Sequence, residues 1–250
     1  MFDTVPSTIE LTVDDQALIV SKPLATRSAF TILFQYFKHH ASFPGDNTLS
    51  DIGERTLERY RQEIRAHFGT REHSNADMTA LTEWLCENAV HSTRDGEELA
   101  SLLRSRCRDV RIEAPSDERI DRIIRAAIAA YDDRLCCSIS SVVPPASKLK
   151  LDQLLSTDDG DENAAAPLLS LRKSPGRPGV ASVKTETAKL RLVREVGLPA
   201  DVFATTKPHD IERFRQRAGV EAPYELRRHP DDLRMTLLAT FVLFTRAGER

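Results

Sequence analysis

Aromatic residues and cysteines are scarce in this sequence. Aromatic side chains occupy 6% of the 250 positions and charged side chains 29%, a balance typical of a soluble, helical protein. The four cysteines include no C-x-x-C pair, and the adjacent Cys136 and Cys137 are poorly placed to chelate one zinc ion. We therefore expect buried thiols in a reducing cytoplasm rather than a zinc site or a disulfide framework.

Signals for membrane insertion and for secretion are also missing. No stretch approaches the roughly 18 consecutive apolar residues that a membrane-spanning helix needs. The first residues, MFDTVPSTIELTVDDQ, lack a basic segment followed by an apolar one, so no signal peptide is predicted. We expect no membrane partner.

Common catalytic motifs are absent as well. The sequence contains no H-E-x-x-H, no G-x-x-x-x-G-K and no G-x-S-x-G, and its seven histidines are scattered. The acids around Asp158 suggest a calcium loop, but the glutamate that would close such a loop is missing. We therefore predict no catalytic residue, no metal site and no cofactor.

Charge is plentiful and unevenly distributed. The net charge is only -3, yet positions 152 to 162 hold five acids and no base. Positions 171 to 194 hold seven bases and one acid. Charge blocks of this kind are typical of linkers and of surfaces that bind nucleic acids.

Apolar residues recur at helical spacing, and no alternation typical of strands is evident, so an all-α fold is predicted. The clearest segment is SDIGERTLERYRQEIRAHF, which predicts a helix with Ser50 or Asp51 as N-cap and Gly69 as its stop. At about 100° per residue, its polar face opposite Leu57 carries Arg55, Arg59 and Gln62.

Two further helices are predicted to carry basic outer faces. One begins near Ser116, and a basic helix follows at about 180–196; their candidate DNA-binding residues are Arg119, Arg122, Arg125, Lys184, Lys189, Arg191 and Arg194. A helix, a short turn and a second helix with an arginine-rich face is the layout of a helix-turn-helix. The alternative is a solvated surface, in which Glu118 and Asp121 pair with the neighbouring arginines.

Four blocks of the sequence together resemble the N-terminal region of Tn-three-class replicative transposases. They lie at positions 25–44, 55–85, 102–127 and 189–203, for example RTLERYRQEIRAHFGTREHSNADMTALTEWL. The resemblance implies helical, tandem DNA-binding modules that bind the terminal inverted repeats of a transposon. It also implies that the catalytic RNase-H-like domain, with its Asp-Asp-Glu metal site, lies beyond position 250. The resemblance does not determine individual DNA contacts, which we infer from the helix faces.

Four parts of the chain are predicted. They are a first helical module at 1–70, a second, helix-turn-helix-like module at 71–141, an acidic and Pro/Gly-rich linker at 142–179, and a third helical module at 180–250. The run MTLLATFVLF is apolar on every side and lies close to Arg250, which suggests a truncated module whose covering surface is missing. The predicted partner is double-stranded DNA at transposon ends. The alternative is a helical interaction fragment that pairs with itself or with a full-length transposase.

Overall fold

The computed structural model describes residues 10–44, 52–156, 166–174 and 176–247, and within these ranges the regular elements are all α-helices. The predicted all-α fold is therefore confirmed. No helix in these ranges is both long enough and apolar enough to cross a membrane.

The chain divides into two compact units, Met1–Tyr131 and Asp132–Arg250. The predicted division into four parts stays a prediction. Two predicted features lie outside the described residues: most of the acidic segment, and Pro175 in the Pro/Gly-rich linker.

Among the described residues, six helices begin in the first unit. They are α1 (Val13–Val20), α2 (Leu24–His40), α3 (Glu54–Phe68), α4 (Asn75–Asn88), α5 (Gly96–Asp109) and α6 (Asp117–Val142), the last of which continues into the second unit. Ser74 and Asp77 form a capping box at α4, and the Asp95 carboxylate accepts from the Glu98 amide at the start of α5. The prediction of Ser50 or Asp51 as the N-cap of α3 is wrong, because the helix begins at Glu54 and Gly53 is its N-cap. Gly69 ends α3 in the left-handed conformation, with φ of 62°.

The described residues of the first unit form two hydrophobic clusters. One joins α2 to α3 and includes Phe30, whose ring meets that of Tyr60 edge to face with centroids 5.0 Å apart. The other joins α4, α5 and α6 around Leu85, Leu99 and Ile120. Burial of one face of α3 and of α6 determines which of their side chains reach the solvent.

In its described ranges, the second unit contains the end of α6 and six further helices. They are α7 (Pro145–Gln153), α8 (Pro167–Arg172), α9 (Val180–Val196), α10 (Pro208–Val220), α11 (Pro223–Arg228) and α12 (Asp231–Ala247). The expectation that the apolar helix lacks a covering surface is wrong, because residues of this unit bury Met235, Leu238 and Val242 to 2% exposure or less. The apolar run is therefore a core helix of its own unit.

Candidate nucleic-acid interface

The outer face of α3 carries the first group of predicted DNA-binding residues. Tyr60 and Ile64 are buried, which turns Arg55, Arg59 and Gln62 towards the solvent, as the helical spacing predicts. The Arg59 side chain is 61% exposed, with Nε 4.0 Å from a carboxylate oxygen of Glu63. An exposed pair of this length is weak, so Arg59 can exchange it for another anion at little cost.

The neighbouring contacts on α3 are similarly loose. The Gln62 amide donates to the Glu58 carboxylate over 3.4 Å, and the Arg59 guanidinium lies 5.4 Å from the centre of the Tyr60 ring. Both contacts are on one helix and hold long side chains along its surface. The face therefore offers guanidinium and amide groups that can reorient towards a ligand.

A buried carboxylate fixes the other end of α3. Asp15 of α1 accepts from Lys38 Nζ of α2 at 2.7 Å and contacts His67 Nε2 of α3 at 2.8 Å. Burial raises the pKa of Asp15, but hydrogen bonds from Lys38, Thr12 and His67 outweigh it and hold that pKa well below its usual range. Three helices therefore converge on one ionised carboxylate, which sets the position of α3.

The arginines of α6 form the second predicted group. Arg119, Arg122 and Arg125 are all exposed, on the side of α6 opposite its buried isoleucines. Arg122 Nε and Arg125 Nε donate to the backbone oxygens of Glu118 and Asp121, at 3.4 and 3.2 Å. Within the described residues, neither arginine forms an ion pair with these two carboxylates, so the pairing considered from the sequence is not observed.

Arg119 differs from the other two because it reaches the turn before α4. Its Nη1 lies 2.8 Å from Nε2 of His73, and the buried Nδ1 of that histidine has no hydrogen-bond partner in the part of the chain that the structure describes. An arginine can only donate, so His73 accepts through Nε2 and carries its proton on Nδ1. This contact joins the start of α6 to the segment that follows α3.

The basic helix α9 divides its predicted residues between the surface and the interior. Lys184, Arg191 and Arg194 are exposed, whereas Lys189 is only 6% exposed. Lys189 Nζ donates to the Glu186 carboxylate at 2.8 Å and to the backbone oxygen of Lys173. Its ammonium therefore holds the end of α8 against α9, and we leave Lys189 out of the proposed surface.

Two exposed arginines outside the predicted set lie at the end of α5 and in the connection that follows it. Arg108 and Arg111 are both exposed, and Arg111 adopts a positive φ of 56°, which is uncommon for a residue other than glycine. By contrast, Arg104 pairs with Asp117 at 2.7 Å. The sequence places arginines at 104, 106, 108 and 111, but only the contacts show that Arg104 is ion-paired and that Arg108 donates to the His39 carbonyl.

Among the described residues, no group of three His, Cys, Asp or Glu side chains is placed to hold a metal ion.

Comparisons with known proteins agree with the resemblance drawn from the sequence blocks. Residues 33–127 match a family described as "Domain of unknown function (DUF4158)". The chain is also 22% identical over 196 residues to the "Transposase for transposon Tn3926" of Escherichia coli. That match covers 78% of this chain but 20% of the relative, so the chain spans about a fifth of the transposase it resembles.

The resemblance to a transposase region is thereby confirmed. The range that matches the family includes all of α3 and the arginine-bearing turns of α6, whereas α9 lies outside it.

Proposed function

We propose that this chain binds double-stranded DNA at the terminal inverted repeats of a transposon, as the DNA-recognition part of a DDE-type transposase, without catalysing strand transfer itself. The observation that carries the proposal is the exposed face of α3, with Arg55, Arg59 and Gln62, inside the range similar to the family. These side-chain types suit base edges: arginine donates two hydrogen bonds to guanine, and glutamine pairs with adenine.

The three basic faces take different roles in this proposal. The α3 face enters a major groove and reads bases. The α6 face, with Arg119, Arg122 and Arg125, contacts a neighbouring groove segment, as in a helix-turn-helix. On α9, Lys184, Arg191 and Arg194 contact phosphates, which adds affinity without reading sequence.

Fluorescence anisotropy tests the proposal. The full chain is titrated with a terminal-repeat duplex of about 40 base pairs, long enough for several half-sites, and with a scrambled duplex of equal composition. The ends of transposon Tn3926 and a pool selected from random duplexes serve as further probes. We expect a preference of about a thousandfold or more for the specific site. Equal affinity for every duplex, including the selected pool, refutes end recognition.

A second experiment separates base contacts from phosphate contacts. Arg59→Ala should reduce the preference for the specific site by about 1–3 kcal/mol, because a base-reading guanidinium is lost. Lys184→Ala, the matched control on α9, should weaken specific and scrambled DNA alike and make the salt slope shallower by about 0.9. Equal losses on both duplexes for Arg59→Ala would contradict its assignment to base reading.

The alternative function is that of a helical interaction fragment. Burial of α12 removes the observation that first motivated it, but Val180 and Val183 are 76% and 65% exposed on α9. Exposed apolar residues next to one another suit a protein partner. Sedimentation at several concentrations tests self-association: a monomer that binds the terminal repeat specifically supports DNA recognition, whereas a dimer without DNA affinity supports the alternative.

A further inference from the structure

The segment that follows α3 is bonded to the connection between α5 and α6. At the end of α3, the Gly69 amide donates to Ala66 O at 3.2 Å and the Thr70 amide to Arg65 O at 2.8 Å, the pattern of a Schellman motif. The next residue, Arg71, then forms a backbone bridge: its amide donates to Arg111 O at 3.1 Å, and its carbonyl accepts from the Glu113 amide at 2.8 Å.

An ion pair reinforces the same junction. Arg65 Nε lies 2.8 Å from a carboxylate oxygen of Glu113, and these side chains are only 14% and 13% exposed. A pair that is largely shielded from water holds its geometry better than an exposed pair, and loss of one partner leaves the other poorly solvated. Arg65 and Glu113 therefore tie the last turn of α3 to the residues just before α6.

The end of α2 joins this junction as well. The Ala114 amide donates to Ala41 O at 2.7 Å, and Arg108 Nη2 donates to His39 O at 2.5 Å. The connection between α5 and α6 is thus bonded to the ends of both α2 and α3. We call residues 69–71 together with residues 108–114 the joint.

We infer that the joint holds the candidate DNA faces of α3 and α6 at one fixed spacing, with Arg65 and Glu113 as positioning residues. This inference rests on the proposed function, because it concerns how two DNA-contacting faces are combined. Helices joined by a flexible tether bind half-sites at several separations, whereas a rigid joint accepts one separation and avoids the entropy cost of ordering a tether. The two predicted modules thereby act as one rigid DNA-binding unit.

A measurement without DNA tests the rigidity. In a Cys137→Ser background, nitroxide labels are attached through Glu54→Cys on α3 and Ala129→Cys on α6, both at exposed positions. Pulsed electron–electron double resonance should give one narrow distribution of the distance between the two labels. Adding Glu113→Ala should broaden it, whereas Asp117→Asn should not, because Asp117 pairs with Arg104 inside the α5–α6 pair and does not reach α3. A broad or multiple distribution in the unmodified joint overturns the inference.

DNA with altered spacing tests the consequence for recognition. Footprints of Arg59→Ala and Arg122→Ala locate the segments that the two faces contact, and insertions are placed between them. An insertion of five base pairs rotates one DNA segment relative to the other by about half a turn. An insertion of ten base pairs restores the rotational phase of the two segments but separates them by about 34 Å more. We expect both insertions to reduce specific affinity by about a hundredfold, the loss of bivalent binding. In the Glu113→Ala variant, the same insertions should reduce specific affinity by a smaller factor.

The two experiments fail in different ways. Unchanged affinity after the ten-base-pair insertion means that the faces are tethered flexibly, which overturns the inference even if the DNA site is real. If the distance distribution is narrow but the chain binds no DNA site specifically, the proposed function is refuted. The role of the joint in DNA recognition is then refuted as well.

Discussion

Replacing the buried Asp15 by asparagine should strongly destabilise the first unit. The carboxylate is 3% exposed and bonds to Lys38, His67 and the Thr12 amide at 2.7, 2.8 and 2.9 Å. Asparagine keeps the size but not the charge, so the bonds to Lys38 and His67 lose their ionised partner. Hydrogen bonds to a charged group contribute about 1.5–3 kcal/mol each and do not add fully. Lys38 and His67 are each 24% exposed and can partly rehydrate, so we expect a loss of about 3 kcal/mol.

The assay is urea unfolding of the full chain, followed by tryptophan fluorescence. Trp84 is the single tryptophan and packs against the α4–α6 cluster, so its emission reports on the first unit. The matched control is Asp14→Asn, which removes the same charge from an exposed neighbour on α1. An exposed substitution of this kind should change the free energy of unfolding by about 0.5 kcal/mol or less.

The pH dependence follows from the lowered pKa of Asp15. A carboxyl whose pKa is lower in the folded state contributes stability above its unfolded pKa of about 3.9, and that stability is lost as the pH falls from there towards the folded pKa. The difference between the native chain and Asp15→Asn should therefore shrink as the pH falls below about 4. Equal unfolding energies for the two asparagine variants, or a difference that persists unchanged in acid, would refute this reasoning.

Three further predictions follow from buried or strained positions. Lys189→Met should lower the melting temperature of the second unit but leave DNA affinity unchanged. Lys184→Ala should lower DNA affinity but leave the melting temperature unchanged. Loss of DNA affinity in Lys189→Met with an unchanged melting temperature would contradict the structural role of Lys189. Burial raises the pKa of Cys107 to about 11, so iodoacetamide should modify the exposed Cys137 quickly and Cys107 only after unfolding, as peptide mass mapping can check. Gly197 ends α9 with φ of 69°, so Gly197→Ala should cost about 1 kcal/mol in thermal unfolding; an unchanged melting temperature would argue against that backbone conformation.

Local rules predict much of this fold because helix starts, stops and faces depend on neighbours in the chain. The cap at Ser74, the stop at Gly69 and the outward direction of Arg59 all follow from spacing within one or two turns. The same rules could have placed Lys189 correctly. It lies four and seven residues before Val193 and Val196, on the buried stripe of α9, and its charge alone suggested a surface role.

The contacts that combine these helices depend on residues far apart in the sequence. Arg65 and Glu113 are 48 positions apart, and Asp15 and His67 are 52 apart, so no local period links either pair. A single sequence shows that such side chains are charged, but not which opposite charge each one meets. The helix faces that are proposed to touch DNA can therefore be predicted residue by residue. Their mutual spacing, on which a composite recognition site depends, is set by long-range contacts such as those of the joint.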